Sequence, residues 1–328
     1  MTLSIIIVFC DKDYQNIPKL LSQIENRVKI PHEVITISNC EYRTPNFTPT
    51  YAFGKNMYQM AARKKAVEYI TGDYVWFVDG DDEILDINED IDLSADLNIF
   101  SFSCVDSVQT YDEEWLDSFK ILDFYSAYGN MLWNKIFKAD TVKKAFEHIP
   151  ADKQIVANED GCIYLACLYN IKTVHIQSRV IYRQSIGFSN REYIESFEIF
   201  NHMLTGWREC QKIMASFVEP DILEMVEKWQ FWFYMKNILI SDNSLLEQEM
   251  DVIESLYSHD FINKEWLDNI INLKGARKVY WYLKRKYPDE EWDCIRIGTG
   301  IRFNGKEFEE FEFEYKTSPD FDPYIDEE

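Results

Sequence analysis

The sequence has few basic residues for its length of 328: it contains 34 Lys and Arg against 57 Asp and Glu, a formal net charge of -23. A surface of this sign repels phosphate backbones and anionic membranes, which argues against nucleic-acid binding and general membrane attachment. Glycine (11 residues) and proline (9 residues) are also scarce. This shortage of turn residues argues against an all-β repeat protein.

Long hydrophobic runs are missing as well. The most apolar stretch, residues 222–240, is interrupted by four charged side chains, so no segment reaches the roughly 18 apolar residues of a membrane span. The seven cysteines form no Cys-x-x-Cys pair, which predicts buried free thiols and neither a zinc site nor a disulfide framework. No Gly-x-Gly-x-x-Gly follows a predicted strand, which disfavours a nicotinamide-dependent oxidoreductase. We expect a soluble, cytoplasmic protein.

Apolar residues are plentiful, at 46% of the chain, and their spacing changes along it. Up to about residue 190, short apolar runs alternate with stretches of helical periodicity. The predicted strands are 3–9, 33–37, 74–78, 97–102 and 173–176, and the predicted helices include 18–30 and 57–70. This alternation predicts an α/β domain with a mainly parallel central sheet that binds ligands at the carboxyl ends of its strands.

The remainder of the chain has a different pattern. Segments 197–214, 220–240 and 245–256 have helical periodicity, and Asn304-Gly305 lies between alternating residues that predict a short terminal β-hairpin before an acidic tail. We therefore predict an α/β domain over 1–192, a helical domain over 193–290, and the hairpin and tail over 291–328.

Asp79-Gly80-Asp81-Asp82 directly follows the apolar strand 74–78. Three carboxylates at the end of a buried strand repel one another, and hard divalent cations prefer such oxygen ligands. The alternative is an ordinary acidic turn, because Asp and Gly are common turn residues.

The segment from Ala62 to Asp82 resembles glycosyltransferase family 2, in which an Ala-Arg pair precedes an Asp-x-Asp-Asp cluster at the same spacing. Further motifs resemble those of the family and follow in its order: the first strand and loop at 3–11, the second strand at 33–39, Trp133-Asn134-Lys135, Asn158-Glu159-Asp160, and Tyr182-Arg183-Gln184. The resemblance covers roughly residues 3–191.

The resemblance implies a GT-A fold and an inverting glycosyltransferase that uses a nucleotide-diphosphate sugar. It implies that Asp81, helped by Asp79, holds Mn²⁺ or Mg²⁺, which neutralises the leaving diphosphate. It also implies that Asp160 is the base that deprotonates the acceptor hydroxyl, with Glu159 supporting it. The alternative for Asp160 is a helix cap that complements the helix dipole.

The resemblance further implies a set of donor contacts. The expected donor-binding residues are Val8, Phe9, Asp11, Asn39, Arg63, Asp79, Gly80, Lys135, Arg183 and Arg191. The three arginines are candidates for fork-like contacts to phosphates. Lys135 could instead form a buried ion pair, and we expect Trp133 and His175 to belong to the core.

The sequence departs from the family pattern at three positions near the donor. Ser38-Asn39 replaces an acidic pair that contacts the base, and Lys64 and Ala66 replace an Asn and a Gly. The Asn39 amide could still bond a uracil edge. A UDP-sugar is the expected donor, and a bacterial surface polysaccharide, teichoic acid or other glycoconjugate is the expected acceptor. The alternative is a non-catalytic GT-A-like scaffold or partner subunit.

Two features of the helical region lie beyond the resemblance. The aromatic run from Trp229 to Met235 predicts a helical core or, alternatively, a subunit interface of a homo-oligomer. The basic segment from Lys274 to Lys286 predicts a solvated helix face. Its alternative is a docking surface for an anionic acceptor or for peripheral contact with a membrane.

Overall fold

The computed structural model describes residues 1–41, 47–104, 107–151, 153, 155, 158–185, 197–226, 297–303 and 308–314. Arg191, the aromatic run, the basic segment and the acidic tail lie outside these residues, and the predictions for them stand as predictions. The chain divides into two compact units: Met1–Asn190 with Asn201–Leu223, and Arg191–Phe200 with Glu224–Glu328. The three predicted domain ranges also stay predictions.

The described part of the first unit is built on one large sheet. Its strands are β1 (Leu3–Phe9), β2 (His32–Ser38), β3 (Tyr51–Ala52), β4 (Tyr74–Asp79), β5 (Glu83–Ile84), β6 (Leu97–Ser103), β7 (Val108–Gln109), β8 (Glu114–Leu116), β9 (Lys135–Lys138) and β10 (Val174–Arg183). The helices are α1 (Ile17–Arg27), α2 (Tyr58–Val67), α3 (Ile121–Ala127), α4 (Ala139–Ala145), α5 (Glu159–Leu168) and α6 (Phe197–Met214), of which α6 begins in the second unit.

The strand order is β3-β2-β1-β4-β9-β6-β10-β5, with β7 paired to β6 and β8 to β10. The longest ladders are parallel and join β1 to β2, β1 to β4, and β6 to β10. Shorter antiparallel ladders attach β9 to both β4 and β6. The α/β fold with a central sheet is confirmed, and short antiparallel strands add to its parallel framework.

Burial explains which segments form the sheet. The β-branched run of β1 is buried along almost its whole length, as expected for a central strand covered on both faces. Strand β6, LNIFSFS, is buried throughout. Helix α1 covers the sheet with Ile17, Leu20 and Ile24, which recur at the spacing of one helix face.

Among the element boundaries that differ from the sequence prediction, two differ for identifiable reasons. Helix α1 ends at Arg27, three residues before the predicted end, because Val28 is extended and bridges Ile87. The last strand of the first unit continues to Arg183, well beyond the predicted end at 176, and pairs with β6 through register shifts after Gln177. This extension carries the chain to the edge of the sheet where β4 ends.

The described residues of the second unit include β11 (Ile297–Phe303) and β12 (Phe308–Glu314), which form an antiparallel pair. Phe303 lies opposite Phe308, so the connection spans residues 304–307 and contains Asn304-Gly305. This antiparallel pair coincides with the strands of the predicted hairpin, and the predicted turn lies outside the described residues.

The described cysteines are all reduced. Five of them are buried, and Cys10 is partly exposed. In the part of the chain that the structure describes, no helix is long and apolar enough to cross a membrane.

Candidate active site

The carboxyl ends of three parallel strands meet at one edge of the sheet. Val8 of β1 lies in register with Ile37 of β2 and with Asp79 of β4. The residues that follow these strands therefore share that edge, as expected for a ligand site in an α/β sheet.

Arg63 joins the acidic residues of two distant segments at this edge. Its Nη2 donates to Asp79 Oδ1 at 3.2 Å, and its Nη1 donates to Glu159 Oε1 at 3.0 Å. Nη1 also donates to Asp160 Oδ1. The guanidinium comes from α2 and is buried, while Asp79 ends β4 and the other two carboxylates begin α5. The strand-end aspartate and the proposed base are thus brought together by one side chain.

The pKa values of these groups reflect burial opposed by charge pairing. Burial lowers the pKa of Arg63, but the three carboxylates outweigh it, so the net pKa is raised and the guanidinium stays charged. Burial raises the pKa of Asp160 to about 7, against the influence of Arg63 and with that of Glu159. Burial likewise raises the pKa of Asp79 to about 6, with neighbouring carboxylates adding to the shift.

Asp81, the other predicted metal ligand, is partly exposed, and its Oδ2 lies 3.7 Å from Lys12 Nζ. Within the described residues, no group of three or more His, Cys, Asp and Glu side chains is arranged to hold a metal ion. The donor chemistry nevertheless fits a hard cation, because the charge of Asp81 raises the pKa values of Asp79 and Asp13, and the charge of Asp13 adds to the rise at Asp79. Any bound cation would take further ligands from a substrate or from water.

Gly80 is closely packed within the acidic turn, which we define as residues Asp79 to Asp82. A Cβ atom at this position would lie 2.9 Å from Ile17 Cδ1 and 3.1 Å from Phe9 Cβ. The turn therefore rests directly on the start of α1 and the end of β1.

Asp82, the last carboxylate of the acidic turn, is bonded within the protein. Tyr182 Oη donates to its Oδ2 at 2.6 Å, and the Ser185 N–H donates to its Oδ1 at 2.8 Å. Burial raises the pKa of Asp82 to about 7, although both hydrogen bonds lower it. The sequence does not identify the Tyr182 hydroxyl as a site group, although Tyr182 belongs to the Tyr182-Arg183-Gln184 motif.

Lys135 is fully buried at the start of β9. Its Nζ donates to the carbonyls of Tyr128, Gly129 and Met131 and to Asn134 Oδ1, at 2.7 to 3.1 Å. It also lies 4.6 Å from the centroid of the Tyr164 ring. Burial lowers the pKa of Lys135 to about 7, while the Asp160 charge raises it. The ammonium thus organises the segment before β9, and its predicted phosphate contact stays a prediction.

The predicted donor contacts near β1 and β2 also have partners inside the protein. Asn39 Oδ1 accepts from the Met57 N–H at 2.6 Å, and its Nδ2 donates to Asn56 Oδ1 at 2.8 Å. Asp11 Oδ2 accepts from the Glu41 N–H at 2.8 Å. The Phe9 side chain is buried in the core. The Asn39 contacts tie the residue after β2 to the start of α2.

Three other residues singled out in the sequence have contacts outside the group formed by Arg63, Asp79, Glu159 and Asp160. Arg183 is exposed and has Nη1 3.7 Å from Glu83 Oε2. Trp133 belongs to the hydrophobic core, in agreement with the sequence-based expectation. His175 is buried and has Nδ1 3.6 Å from Asp92 Oδ2.

Residues 4–88 match the family model described as glycosyl transferase family 2. The family resemblance is thereby confirmed. The matched family 2 segment contains Arg63 and the whole acidic turn. Among curated protein sequences, none matches this chain.

Several solved structures share the fold of the chain. S. aureus TarS 1-349 in complex with UDP-GlcNAc is 15% identical, has a TM-score of 0.60, and aligns over 97% of this chain and 99% of its own. The same TarS fragment without a stated ligand is 15% identical, with a TM-score of 0.57 and coverage of 94% and 98%. Its complex with UDP is 14% identical, with a TM-score of 0.54 and coverage of 94% and 96%. The likeness shows a GT-A fold, and together with the family 2 segment it indicates a glycosyltransferase.

Proposed function

We propose that this protein transfers a sugar, with inversion, from a UDP-sugar to a hydroxyl group of a glycan or other glycoconjugate, such as a bacterial surface polysaccharide or teichoic acid. The observation that carries the proposal is the convergence of Asp79 and Asp160 on Arg63 at the carboxyl edge of the sheet. A displacement at the anomeric carbon needs charge neutralisation on one side and a base on the other, and this edge offers groups for both.

The donor is the better supported half of the reaction. The segment that matches the family 2 model, residues 4–88, includes the acidic turn. Two of the TarS structures that share this fold are complexes, one with UDP-GlcNAc and one with UDP. In our proposal, Asp81 and Asp79 hold Mn²⁺ or Mg²⁺. When bound, the cation supplies neutralisation of the charge that develops on the departing diphosphate.

The proton is taken by Asp160 in this scheme. Its carboxylate is held by Arg63 and lies in the first turn of α5, where the helix dipole favours its ionised form. Burial and Glu159 act in the opposite direction and raise its pKa to about 7. A base with a pKa near the working pH combines a useful ionised fraction with sufficient proton affinity.

The donor-binding role of Arg63 needs revision within this proposal. Because its guanidinium is engaged by three carboxylates, we infer that Arg63 chiefly positions these groups. Arg183, with an exposed side chain, and Arg191 are the remaining arginine candidates for the diphosphate.

A thermal-shift panel of nucleotide sugars, each with and without Mn²⁺, tests the proposal, because a ligand that binds the folded state raises the unfolding temperature. We expect UDP-sugars with Mn²⁺ to give the largest shift, and the best of them to be hydrolysed slowly in the absence of acceptor. Asp81→Ala should abolish both effects. Hydrolysis that survives Asp81→Ala would contradict the metal assignment, and a panel without any nucleotide response would favour the non-catalytic scaffold.

A further inference from the structure

The hydroxyl group of Tyr182 bonds both ends of the acidic turn. Tyr182 Oη accepts from the Asp79 N–H at 3.2 Å and donates to Asp82 Oδ2 at 2.6 Å. The two partners are separated by the two residues that include the predicted metal ligand Asp81. One phenol oxygen thus fixes the distance between the start and the end of the turn.

The ring that carries this hydroxyl is held by two tryptophans. Tyr182 stacks on Trp133 with ring centroids 4.7 Å apart and an angle of 12° between the planes. Trp76 meets Tyr182 edge-on at 6.2 Å, and Trp76 Nε1 donates to the Trp133 carbonyl at 2.6 Å. All three side chains are buried, so the hydroxyl has a fixed position that does not depend on the turn.

Asp82 is the group through which the turn is anchored. Its two carboxylate oxygens accept from Tyr182 Oη and from the Ser185 N–H, and it is only 9% exposed. Both donors belong to β10 or to the residues that follow it. Asp81 differs, since its side chain is 28% exposed and faces Lys12.

We propose that Tyr182 is a positioning residue that holds the acidic turn in the conformation that binds cation and diphosphate, with Asp82 as its anchor and not as a metal ligand. This inference rests on the proposed function for the nature of the ligands. It adds a role to a side chain that lies on another strand, 103 positions from Asp79 in the sequence. The hydroxyl acts on the turn and takes no part in bond making.

The variant Tyr182→Phe removes the hydroxyl and keeps the stacked ring. We expect it to unfold at a lower temperature than the wild type, because the buried Asp82 carboxylate loses a hydrogen-bond donor. We also expect it to bind UDP in the presence of Mn²⁺ about tenfold more weakly by isothermal titration calorimetry, because a turn that occupies its binding conformation about a tenth of the time has about a tenth of the affinity. Tyr74→Phe is the matched control, because Tyr74 begins the strand that Asp79 ends. Equal UDP affinity in Tyr182→Phe and Tyr74→Phe would overturn the inference.

The anchor role of Asp82 is tested by a double-mutant cycle. If Tyr182 and Asp82 act as one unit, Asp82→Asn weakens UDP and Mn²⁺ binding to a similar extent, and the double variant is no weaker than the worse single variant. Additive losses would show that Asp82 contributes separately, as a metal ligand would.

Hydrogen exchange of the ligand-free protein separates this inference from the proposed function. We expect the amides of residues 79–82 to exchange faster in Tyr182→Phe than in Tyr74→Phe, whether or not the wild type binds UDP. Unchanged exchange refutes the positioning role. Faster exchange in a protein whose wild type binds no nucleotide leaves the positioning of the turn standing and refutes the proposed donor.

Discussion

The buried guanidinium of Arg63 donates to the carboxylate of Asp160, which lies 97 positions away in the sequence. The same guanidinium reaches Asp79 through its other terminal nitrogen. Helix α2 therefore connects the acidic turn to the start of α5. Any change that moves Arg63 alters the charge environment of both carboxylates at once.

Replacing Arg63 should destabilise the protein strongly. Arg63→Gln leaves Asp79, Glu159 and Asp160 without their shared cation, and breaking a buried charge pair costs about 3–5 kcal/mol. Arg63→Lys should lose less, because it keeps the charge but not the planar fork. Urea denaturation measures both. Arg179→Gln is the control, since Arg179 pairs with the exposed Asp90 and a solvent-screened ion pair contributes little to stability. Equal losses in the two glutamine variants would contradict the prediction.

Asp160→Asn should remove sugar transfer and leave donor binding intact. Loss of a general base lowers the rate by about 10²–10⁴-fold, while the amide keeps the shape of the side chain. Initial rates with the active UDP-sugar, and calorimetric titration with UDP, measure the two effects. Asp140→Asn changes an acidic residue in the first turn of another helix, α4, and should alter neither. A variant of Asp160 that no longer binds UDP would argue for a role in donor binding.

Adding a methyl group at Gly80 should lower stability. The new Cβ in Gly80→Ala would meet Ile17 Cδ1 at 2.9 Å and Phe9 Cβ at 3.1 Å, and overpacking of this kind costs about 1–3 kcal/mol. Ile17→Val removes the Cδ1 atom, so the double variant should recover part of the loss. Chemical denaturation of the four proteins measures the coupling free energy. Strictly additive effects would mean that the turn shifts away from α1 instead of packing against it.

The stability contributed by Lys135 should rise between pH 7 and pH 10. Burial lowers its pKa to about 7 in the folded protein, against the ordinary value of 10.5 for lysine. In this interval the unfolded chain binds more protons, so raising the pH increases the free energy of unfolding, by up to about 1.4 kcal/mol per pH unit.

To measure this contribution, the free energy of unfolding is determined for the wild type and for Lys135→Met between pH 7 and pH 10. The two proteins share all their other titratable groups, so the difference between them reports on Lys135 alone. Their difference should shift with pH in favour of the wild type. Lys138→Met, at the exposed end of β9, is the matched control for removing a lysine from the same strand. A constant difference for Lys135→Met would mean that the four acceptors keep the amine protonated throughout.

Much of the fold is predictable from the sequence because the central strands are continuous apolar runs. Strands β1, β4 and β6 are buried on both faces, so their composition alone distinguishes them from the helices. Strand β9 was not predicted as a strand, since its four residues begin and end with lysine. Its place between β4 and β6 depends on tertiary contacts that no local pattern encodes.

The candidate site was likewise only partly predictable from the sequence. The motif spacing identified Arg63, Asp79 and Asp160 one by one, but it did not indicate that the arginine binds both aspartates. The resemblance predicts that Arg63 contacts phosphates, as one of three arginines suited to fork-like contacts. Its burial, at 2% exposure, follows from the packing of α2 against the sheet, which the weak amphipathic pattern of that helix did not predict.

The distribution of thiols along the chain makes chemical labelling informative. Cys10, which follows β1 at the ligand edge, is partly exposed, and burial together with Asp13 raises its pKa to about 11. The other described thiols are sealed in the interior: Cys40, Cys104, Cys162, Cys167 and Cys210. An alkylating reagent therefore reaches Cys10 slowly in the native state and the interior thiols only when the chain opens. Mass spectrometry of pulse-labelled protein would thus record occupancy of the ligand edge and opening of the core in the same sample, without any engineered probe.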